Sequence, residues 1–332
     1  MKRIFTLSSI FILAIFSCNN DDDQIVVSNQ EIPVVKQIET YQVIEEKNIT
    51  YAEGLSHESF NSPNFTVMPI KLDVYYPNNN ETNRPVFMFI HGGAFENGSK
   101  EQAAIVNIAN YYASRGWVFV SIDYRLKNDF GTVPTEWANV AAILPVSEDD
   151  RASFNAMYPA QRDAKAALRW IIANKENYNI NTDYITVGGA SAGANTAKGI
   201  VVSDPNDFTN EISTVQDPTL STTNLEEIYQ VATIVDFWGG QSVTDAFELV
   251  YGRDLFDNND PALYKAHSTD DPTVPYSSAL ELQQVYTSIG VTMRLDTLQD
   301  AGHGNFNATL NGKRLEELAF EFITEQQNLI VE

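Results

Sequence analysis

The chain is poor in cysteine, in histidine and in positive charge. A single cysteine in 332 residues, Cys18, excludes an internal disulfide and any metal site built on paired thiolates. Only four histidines are present, His57, His91, His267 and His303, and none stands at metal-ligand spacing from another ligand. Lys and Arg number 21 against 44 Asp and Glu, a formal charge of −23. That balance argues against nucleic acid or an anionic membrane surface as partner, since both demand clustered cations, and leaves solubility as the meaning of the charge. No internal repeat, no heptad and no phosphate-cradling Gly-rich loop with a lysine occurs. The acidic pairs and triplets, Asp149-Asp150 and Asp21 to Asp23, have ligands suited to Ca²⁺, but adjacent loop acids are ordinarily just solvated.

What the chain does have is the run Tyr184-Ile-Thr-Val-Gly-Gly-Ala-Ser-Ala-Gly-Ala194. The β-branched segment Ile185 to Val187 reads as a strand, and the Ala-rich sequence after Gly193 reads as a helix. Ser191 therefore falls on a strand-to-helix corner of the G-x-S-x-G type. Such a corner needs residues without bulk, and the helix that follows aims unpaired N–H groups and its positive dipole end at the serine oxygen. A small-residue turn that merely packs a helix on a sheet would look the same, so the partners of a serine nucleophile decide the matter.

A hydroxyl attacks only when a base takes its proton and a carboxylate orients that base. His303 lies in the Gly-flanked loop Asp300-Ala-Gly-His-Gly304, just after the alternating segment Met293 to Leu298. Asp271 lies in the polar turn Ser268 to Pro275, after the short strand ending at His267. The order Ser191, Asp271, His303 is the Ser, Asp, His order of α/β-hydrolases, with each member on a loop after a strand. For the developing oxyanion, the apolar strand Val86 to Ile90 ends in His91-Gly92-Gly93-Ala94-Phe95, where amides are exposed. The N–H groups of Gly93, Ala94 and Ala192 are the expected oxyanion hole. His91 and His267 are expected to be structural, and His57 carries no signal.

Several motifs together resemble the hormone-sensitive-lipase-like carboxylesterases, and most nearly the bacterial group that includes feruloyl and acetyl-xylan esterases. They are His91-Gly-Gly-Ala-Phe95, Tyr124-Arg-Leu126, Tyr158-Pro-Ala-Gln-Arg-Asp-Ala-Lys-Ala-Ala-Leu-Arg-Trp170 and Gly189-Ala-Ser-Ala-Gly193. The resemblance runs from about residue 65 to the end. It also aligns His267-Ser-Thr-Asp-Asp-Pro-Thr-Val-Pro275 with the family's His-Gly-x-x-Asp-x-x-Val-Pro loop, which places the acid at Asp271 rather than Asp270. Ser268 stands where the family usually has glycine, Ala194 replaces a common second glycine, and no Ala-Pro-Glu follows Tyr-Arg-Leu. The resemblance implies a serine carboxylesterase working through an acyl-enzyme without a cofactor, on small-molecule or polysaccharide-linked esters, acetyl and feruloyl among them. A lipase or serine peptidase of the same fold, or a surface protein that binds without catalysis, are the alternatives.

The amino end reads as an export signal. Met1-Lys2-Arg3 is basic, and Ile4 to Phe16 is predominantly apolar but too short for a bilayer, which takes about 20 residues. Ser17-Cys18 followed by an acidic run looks like a bacterial lipoprotein junction, which predicts lipid on Cys18 and an outer-membrane or cell-surface location. The expected organisation is a signal peptide over 1–17, a tether over 18–48 and one α/β-hydrolase domain over 49–332. Strands alternate with helices, the pattern of a mostly parallel sheet covered on both faces. Strands are expected at Thr66 to Tyr75, Val86 to Ile90, Val118 to Asp123, Tyr184 to Val187, Val231 to Phe237, Leu263 to His267 and Met293 to Leu298. Helices are expected at Glu101 to Ser114, Pro159 to Asn174, Ala192 to Val201, Ser278 to Ser288 and Lys313 to Glu325. Two polar insertions, Lys127 to Met157 and Asp204 to Glu227, break the alternation. The first, with Phe130, Trp137 and Phe154, is expected to form a flap over the acyl or alcohol pocket.

Overall fold

The computed structural model describes residues 31–332, of which Ile32–Glu332 form one compact unit. Cys18 and the expected signal peptide lie outside the described residues. In chain order the strands are β1 (Val34–Val35), β2 (Val43–His57), β3 (Phe65–Pro77), β4 (Arg84–Ile90), β5 (Val118–Ile122), β6 (Ile180–Ala190), β7 (Thr233–Phe237), β8 (Ala262–Ser268), β9 (Met293–Leu298), β10 (Thr309–Leu310), β11 (Lys313–Arg314) and β12 (Ile330–Val331). The helices are α1 (Ala103–Ala113), α2 (Thr135–Ile143), α3 (Glu148–Ala173), α4 (Lys175–Tyr178), α5 (Ala192–Val202), α6 (Ser242–Tyr251), α7 (Ser277–Ile289) and α8 (Leu315–Gln326).

The main sheet has eight strands in the order β2-β3-β5-β4-β6-β7-β8-β9. The pairs β2/β3 and β3/β5 are antiparallel, and the rest of the sheet is parallel. Strand β4 carries large apolar residues on both of its faces because both are covered. Val86, Met88 and Ile90 enter one core, while Phe87 and Phe89 enter the other. On the first side lie residues of α2, α3, α5 and α6; on the second, those of α1 and α8. The expected strands all appear within a few residues of their predicted bounds, and so do four of the five helices.

Three expectations are corrected. The stretch 18–48 was expected to be a tether, but its described part belongs to the domain: Val34 and Val35 pair with Ile330 and Val331, the Lys36 N–H donates to the Arg115 carbonyl at 2.9 Å, and β2 starts at Val43. Strand β2 escapes the alternation rule because it is an edge strand. Its first half, with Glu45, Glu46 and Lys47, is exposed, and two register shifts near Asn48 and Tyr51 break its period. The helix expected from Pro159 begins at Glu148 instead. The Ser147 hydroxyl accepts the Asp150 N–H, three acids occupy the first turn, and Pro159 is taken into the helix.

The third correction concerns the expected flap. Trp137 is fully buried, donates its Nε1–H to the Phe154 carbonyl at 3.0 Å, and packs its ring against Phe154, Tyr158 and Phe208. Phe130 meets Phe60 edge to face. No residue of 127–157 lines the cavity at Ser191. The insertion is thus a packed layer over α3 and α6, and Trp137 is its centre. Trp137→Ala is expected to destabilise the domain by about 3–5 kcal/mol, read as a drop in the urea midpoint; a midpoint within error of the parent would mean that the insertion folds independently of its aromatic centre.

The buried Arg125 guanidinium forks onto Asp163, with Nη2 to Oδ1 at 2.7 Å and Nε to Oδ2 at 2.9 Å, and the Arg125 N–H also donates to Asp163 Oδ2. Two of the sequence motifs, Tyr124-Arg-Leu126 and Tyr158 to Trp170, therefore meet as one bidentate ion pair that ties the end of β5 to α3. Asp149 pairs with Lys127 at 2.7 Å. Among the described residues no group of three or more His, Cys, Asp or Glu could hold a metal ion, and no helix is long and apolar enough to cross a membrane.

Candidate active site

Ser191 sits at the corner between β6 and α5 with φ 53° and ψ −120°. That left-handed conformation is unusual for a residue with a side chain, and the close packing around it explains why it persists. A methyl group on Gly193 would lie 2.1 Å from the Ile90 carbonyl oxygen, so the first turn of α5 approaches the end of β4 backbone to backbone. The Ser191 N–H donates to the Phe237 carbonyl at 2.9 Å, which fixes the corner to β7 as well.

The loops after β8 and β9 bring the other two side chains to this corner. The His303 ring accepts from Ser191 Oγ at its Nε2, 2.9 Å away, and donates from Nδ1 to Asp271 Oδ2 at 2.7 Å. Residues 191, 271 and 303, remote in sequence, thus form one continuous hydrogen-bonded line. Asp271 is buried at the side chain and accepts from the Thr273 and Val274 amides at 2.8 and 2.9 Å. Burial raises its carboxyl, but the His303 ring and the two amides outweigh burial and hold it below the usual carboxylate range.

The loop after β4 supplies the amides. Gly93 (φ 122°), Ala94 (φ 55°) and Phe95 (φ 61°) are three consecutive residues at positive φ, and a methyl group on Gly93 would fall 2.0 Å from the Asn97 carbonyl oxygen. Among the described residues the N–H groups of Gly93 and Ala94 make no hydrogen bond, and both residues line the cavity beside Ser191. The Ala192 N–H lies in the first turn of α5, where no intrahelical acceptor exists. His91 supports this loop rather than the chemistry: its Nδ1 faces the Gly92 carbonyl at 2.7 Å, and its ring stacks on Tyr124 at 4.4 Å. Tyr124 in turn donates to the His91 carbonyl at 3.0 Å. His57 bridges the Ser62 carbonyl and Thr132 away from the site.

The cavity measures about 420 Å³. Ala190, Trp238 and Phe306 form its apolar side, and Asn97, Gln102 and Thr273 its polar rim. Trp238 and Phe306 meet edge to face at 4.9 Å. Ala190 and Thr273 fall within motifs read from the sequence, whereas Asn97, Gln102, Trp238 and Phe306 are not signalled by it, because each stands singly outside the regular elements.

The sequence also left unmarked a buried charge cluster behind the site. Asp236 and Lys265 are partners in register on β7 and β8, and both are wholly buried. The Asp236 carboxylate takes Lys265 at 2.9 Å on one oxygen and Lys198 of α5 on the other, so two ammonium groups share one anion. Burial raises the Asp236 carboxyl, but the two lysines reverse that and hold it well below its ordinary range; burial pushes Lys265 down to about 8. Opposite charges at matching positions of two adjacent apolar strands were the available signal.

A mostly parallel sheet with a serine on a strand-to-helix corner, and with its hydrogen-bonded partners on loops beyond the carboxyl ends of later strands, defines an α/β-hydrolase. Solved structures agree in fold. A truncated carbohydrate esterase from gut microbiota matches with a TM-score of 0.56 at 18% identity, covering 89% of this chain and 99% of the other. Thermogutta terrifontis esterase Est2, butyrate bound, matches with a TM-score of 0.56 at 19% identity, over 86% and 94% of the two chains. Among curated relatives, gut esterase 1 of Caenorhabditis briggsae is 29% identical over 134 residues, 40% of this chain and 21% of its own length. The chain thus spans about a fifth of the length of such relatives. The BD-FAE family profile matches residues 72–145 and 140–251, more than half of the chain, and the chain belongs to that esterase family.

His267 gives a pH test. It is fully buried, with Nε2 at 2.9 Å from the Val274 carbonyl and 3.3 Å from Asp271. Burial first, and Lys265 second, lower its pKa, and burial does the same to His91. Above the unfolded value of about 6.5, both states carry these rings neutral; below it, the unfolded chain takes up protons that the folded chain refuses. Stability is therefore expected to fall as pH drops from 7 to 5, and less steeply in His267→Gln. Urea midpoints measured across that window check this; equal slopes in the two proteins would contradict it.

Proposed function

We propose that this protein is a serine carboxylesterase in which Ser191 is the nucleophile, His303 the general base and Asp271 the group that orients the imidazole. The observation that carries the reading is the unbroken line from Asp271 through His303 to Ser191, at 2.7 and 2.9 Å. His303 Nε2 takes the serine proton as Oγ attacks the ester carbonyl, and returns it to the leaving alcohol. The tetrahedral oxyanion is stabilised by the amides of Gly93, Ala94 and Ala192. Water, activated by the same imidazole, then cleaves the acyl-enzyme. Asp271 stays ionised throughout, which keeps the His303 proton on Nδ1 and the basic Nε2 turned to Ser191. No cofactor enters this cycle.

Acetyl or feruloyl esters on polysaccharides are the proposed substrates. The polar rim of Asn97, Gln102 and Thr273 suits a hydroxylated alcohol portion, and the wall of Trp238 and Phe306 suits a short or aromatic acyl group. Membership of the BD-FAE family and the fold likeness to a carbohydrate esterase support this choice. The amino end extends the proposal to an exported lipoprotein anchored through Cys18 at the outer membrane or cell surface.

Hydrolysis of p-nitrophenyl acetate, butyrate and palmitate, followed by acetylated xylan and methyl ferulate, tests the reading. Wild-type protein is expected to prefer the short esters, and Ser191→Ala to lose on the order of 10⁶-fold in kcat. Asp271→Asn should lose about 10⁴-fold. Equal, negligible rates for wild type and Ser191→Ala would favour binding without catalysis, and a palmitate optimum would favour a lipase. For the anchor, Cys18→Ser is expected to move the protein expressed in a Gram-negative host from the detergent to the aqueous phase in Triton X-114 partition; an unaltered distribution would remove the lipid from the proposal.

A further inference from the structure

Asp270 stands beside Asp271 but points elsewhere. Its Oδ1 accepts the Gly302 N–H at 3.1 Å and the Ser268 hydroxyl, while Ser268 Oγ itself accepts the Ala301 N–H at 3.2 Å. The side chains of Ser268, at the end of β8, and of Asp270, in the loop after it, thus hold two successive amides of the loop after β9, immediately before His303. Thr269 adds a second seam: its N–H donates to the Leu298 carbonyl at 3.1 Å, and its hydroxyl to Gln299 at 3.1 Å.

The held segment needs such support. Asp300 (φ 51°), Gly302 (φ 62°) and Gly304 (φ 82°) all have positive φ, and a methyl group on Gly302 or Gly304 would meet nothing within 4 Å. Ala301 on one side and Phe306 on the other pack against the core and the His303 ring meets Trp238 edge to face at 6.4 Å, but the backbone between them carries two glycines with open space beside them. Its conformation is left to polar contacts, and the contacts to Ser268 and Asp270 are the ones next to His303. A glycine at position 268 could make neither of the two bonds of Ser268 Oγ.

We propose that Ser268 and Asp270 form a clasp that positions His303, with Asp270 a positioning residue for the triad rather than a member of it. The proposal rests on the reading of His303 as base. Asp271 receives the imidazole from the front, and the clasp fixes the backbone from which the imidazole projects. The bonds from Ser268 and Gly302 also hold the Asp270 carboxyl below the usual carboxylate range, so the acceptor stays ionised at neutral pH.

Asp270→Ala removes the acceptor, whereas Asp270→Asn keeps a carbonyl oxygen for Gly302 and Ser268. With p-nitrophenyl acetate, Asp270→Ala is expected to lower kcat about 10- to 100-fold with KM within about twofold, the cost of a small misplacement of the base. Asp270→Asn should recover most of the loss. Ser268→Ala should fall in the same direction, and the double variant Ser268→Ala/Asp270→Ala should lose less than the product of the two single losses. Hydrogen exchange of the 298–306 peptide, which needs no turnover, is expected to quicken in Asp270→Ala and Ser268→Ala and to stay near the parent rate in Asp270→Asn. Unchanged kcat in Asp270→Ala, or Asp270→Asn as impaired as Asp270→Ala, would overturn the proposal, and so would unchanged exchange. A parent protein without hydrolysis of any ester, but with exchange that quickens in Asp270→Ala, would instead overturn the esterase reading and keep the clasp as a structural fact.

Discussion

The first turn of α5 lies against the end of β4 so closely that Gly193 has no room for a methyl group, and this backbone contact sets the geometry of the site. It places the nucleophile corner beside the loop at Gly93 and Ala94, so the serine oxygen and the loop amides share one cavity wall. Backbone at that distance is stiffer than any arrangement of side chains, because its position is set by two strands paired in register, Ile90 with Gly189 among the pairs. The left-handed Ser191 follows from it. A chain that must leave β6 and enter α5 without striking Ile90 has to turn within one residue, and the strain is offset by the surrounding hydrogen bonds.

Electrostatics extends the same frame. Asp236, Lys198 and Lys265 join α5, β7 and β8, the three elements that carry the nucleophile corner, the Trp238 wall and the acid loop. A buried cluster of this kind is costly to desolvate, and two cations on one anion leave an excess positive charge in the interior. The cluster therefore ties α5, β7 and β8 to one another through a single carboxylate, and breaking it would loosen all three together.

The site was more legible in the sequence than its surroundings, for a physical reason. Ser191, Asp271 and His303 stand at strand ends flanked by Gly, Pro and polar residues, so local punctuation marks them even though they are remote in the chain. Cooperative packing hides the rest. Strand β2 has no clean alternation because it is an edge with charged residues on exposed positions. Pro159 suggested a helix start because proline removes a donor, yet the stronger N-terminal signal was Ser147 with three acids after it. The insertion 127–157 reads as a flap because a long polar stretch breaks the strand–helix alternation, whereas Trp137 meets Phe154 and Phe208 only in three dimensions. Asp270 and Asp271 could be ordered only by resemblance, since neighbouring acids are equivalent until a backbone turn sends one to the imidazole and the other to Gly302.

That the large insertions stay away from the cavity changes where selectivity must reside. The lining comes from the short loops after β4, β6, β7, β8 and β9, each contributing one to a few residues. Loops held at the carboxyl ends of the sheet strands they leave can exchange side chains without disturbing the core, whereas replacing part of the 127–157 layer removes contacts from Trp137 and α3. Under the proposed esterase reading, ester preference falls to positions such as Asn97, Gln102, Thr273, Trp238 and Phe306, which line the cavity at Ser191. Changes at these positions act on what fits between Trp238 and the rim. The serine corner behind them is held independently, by the packing of Gly193 on Ile90.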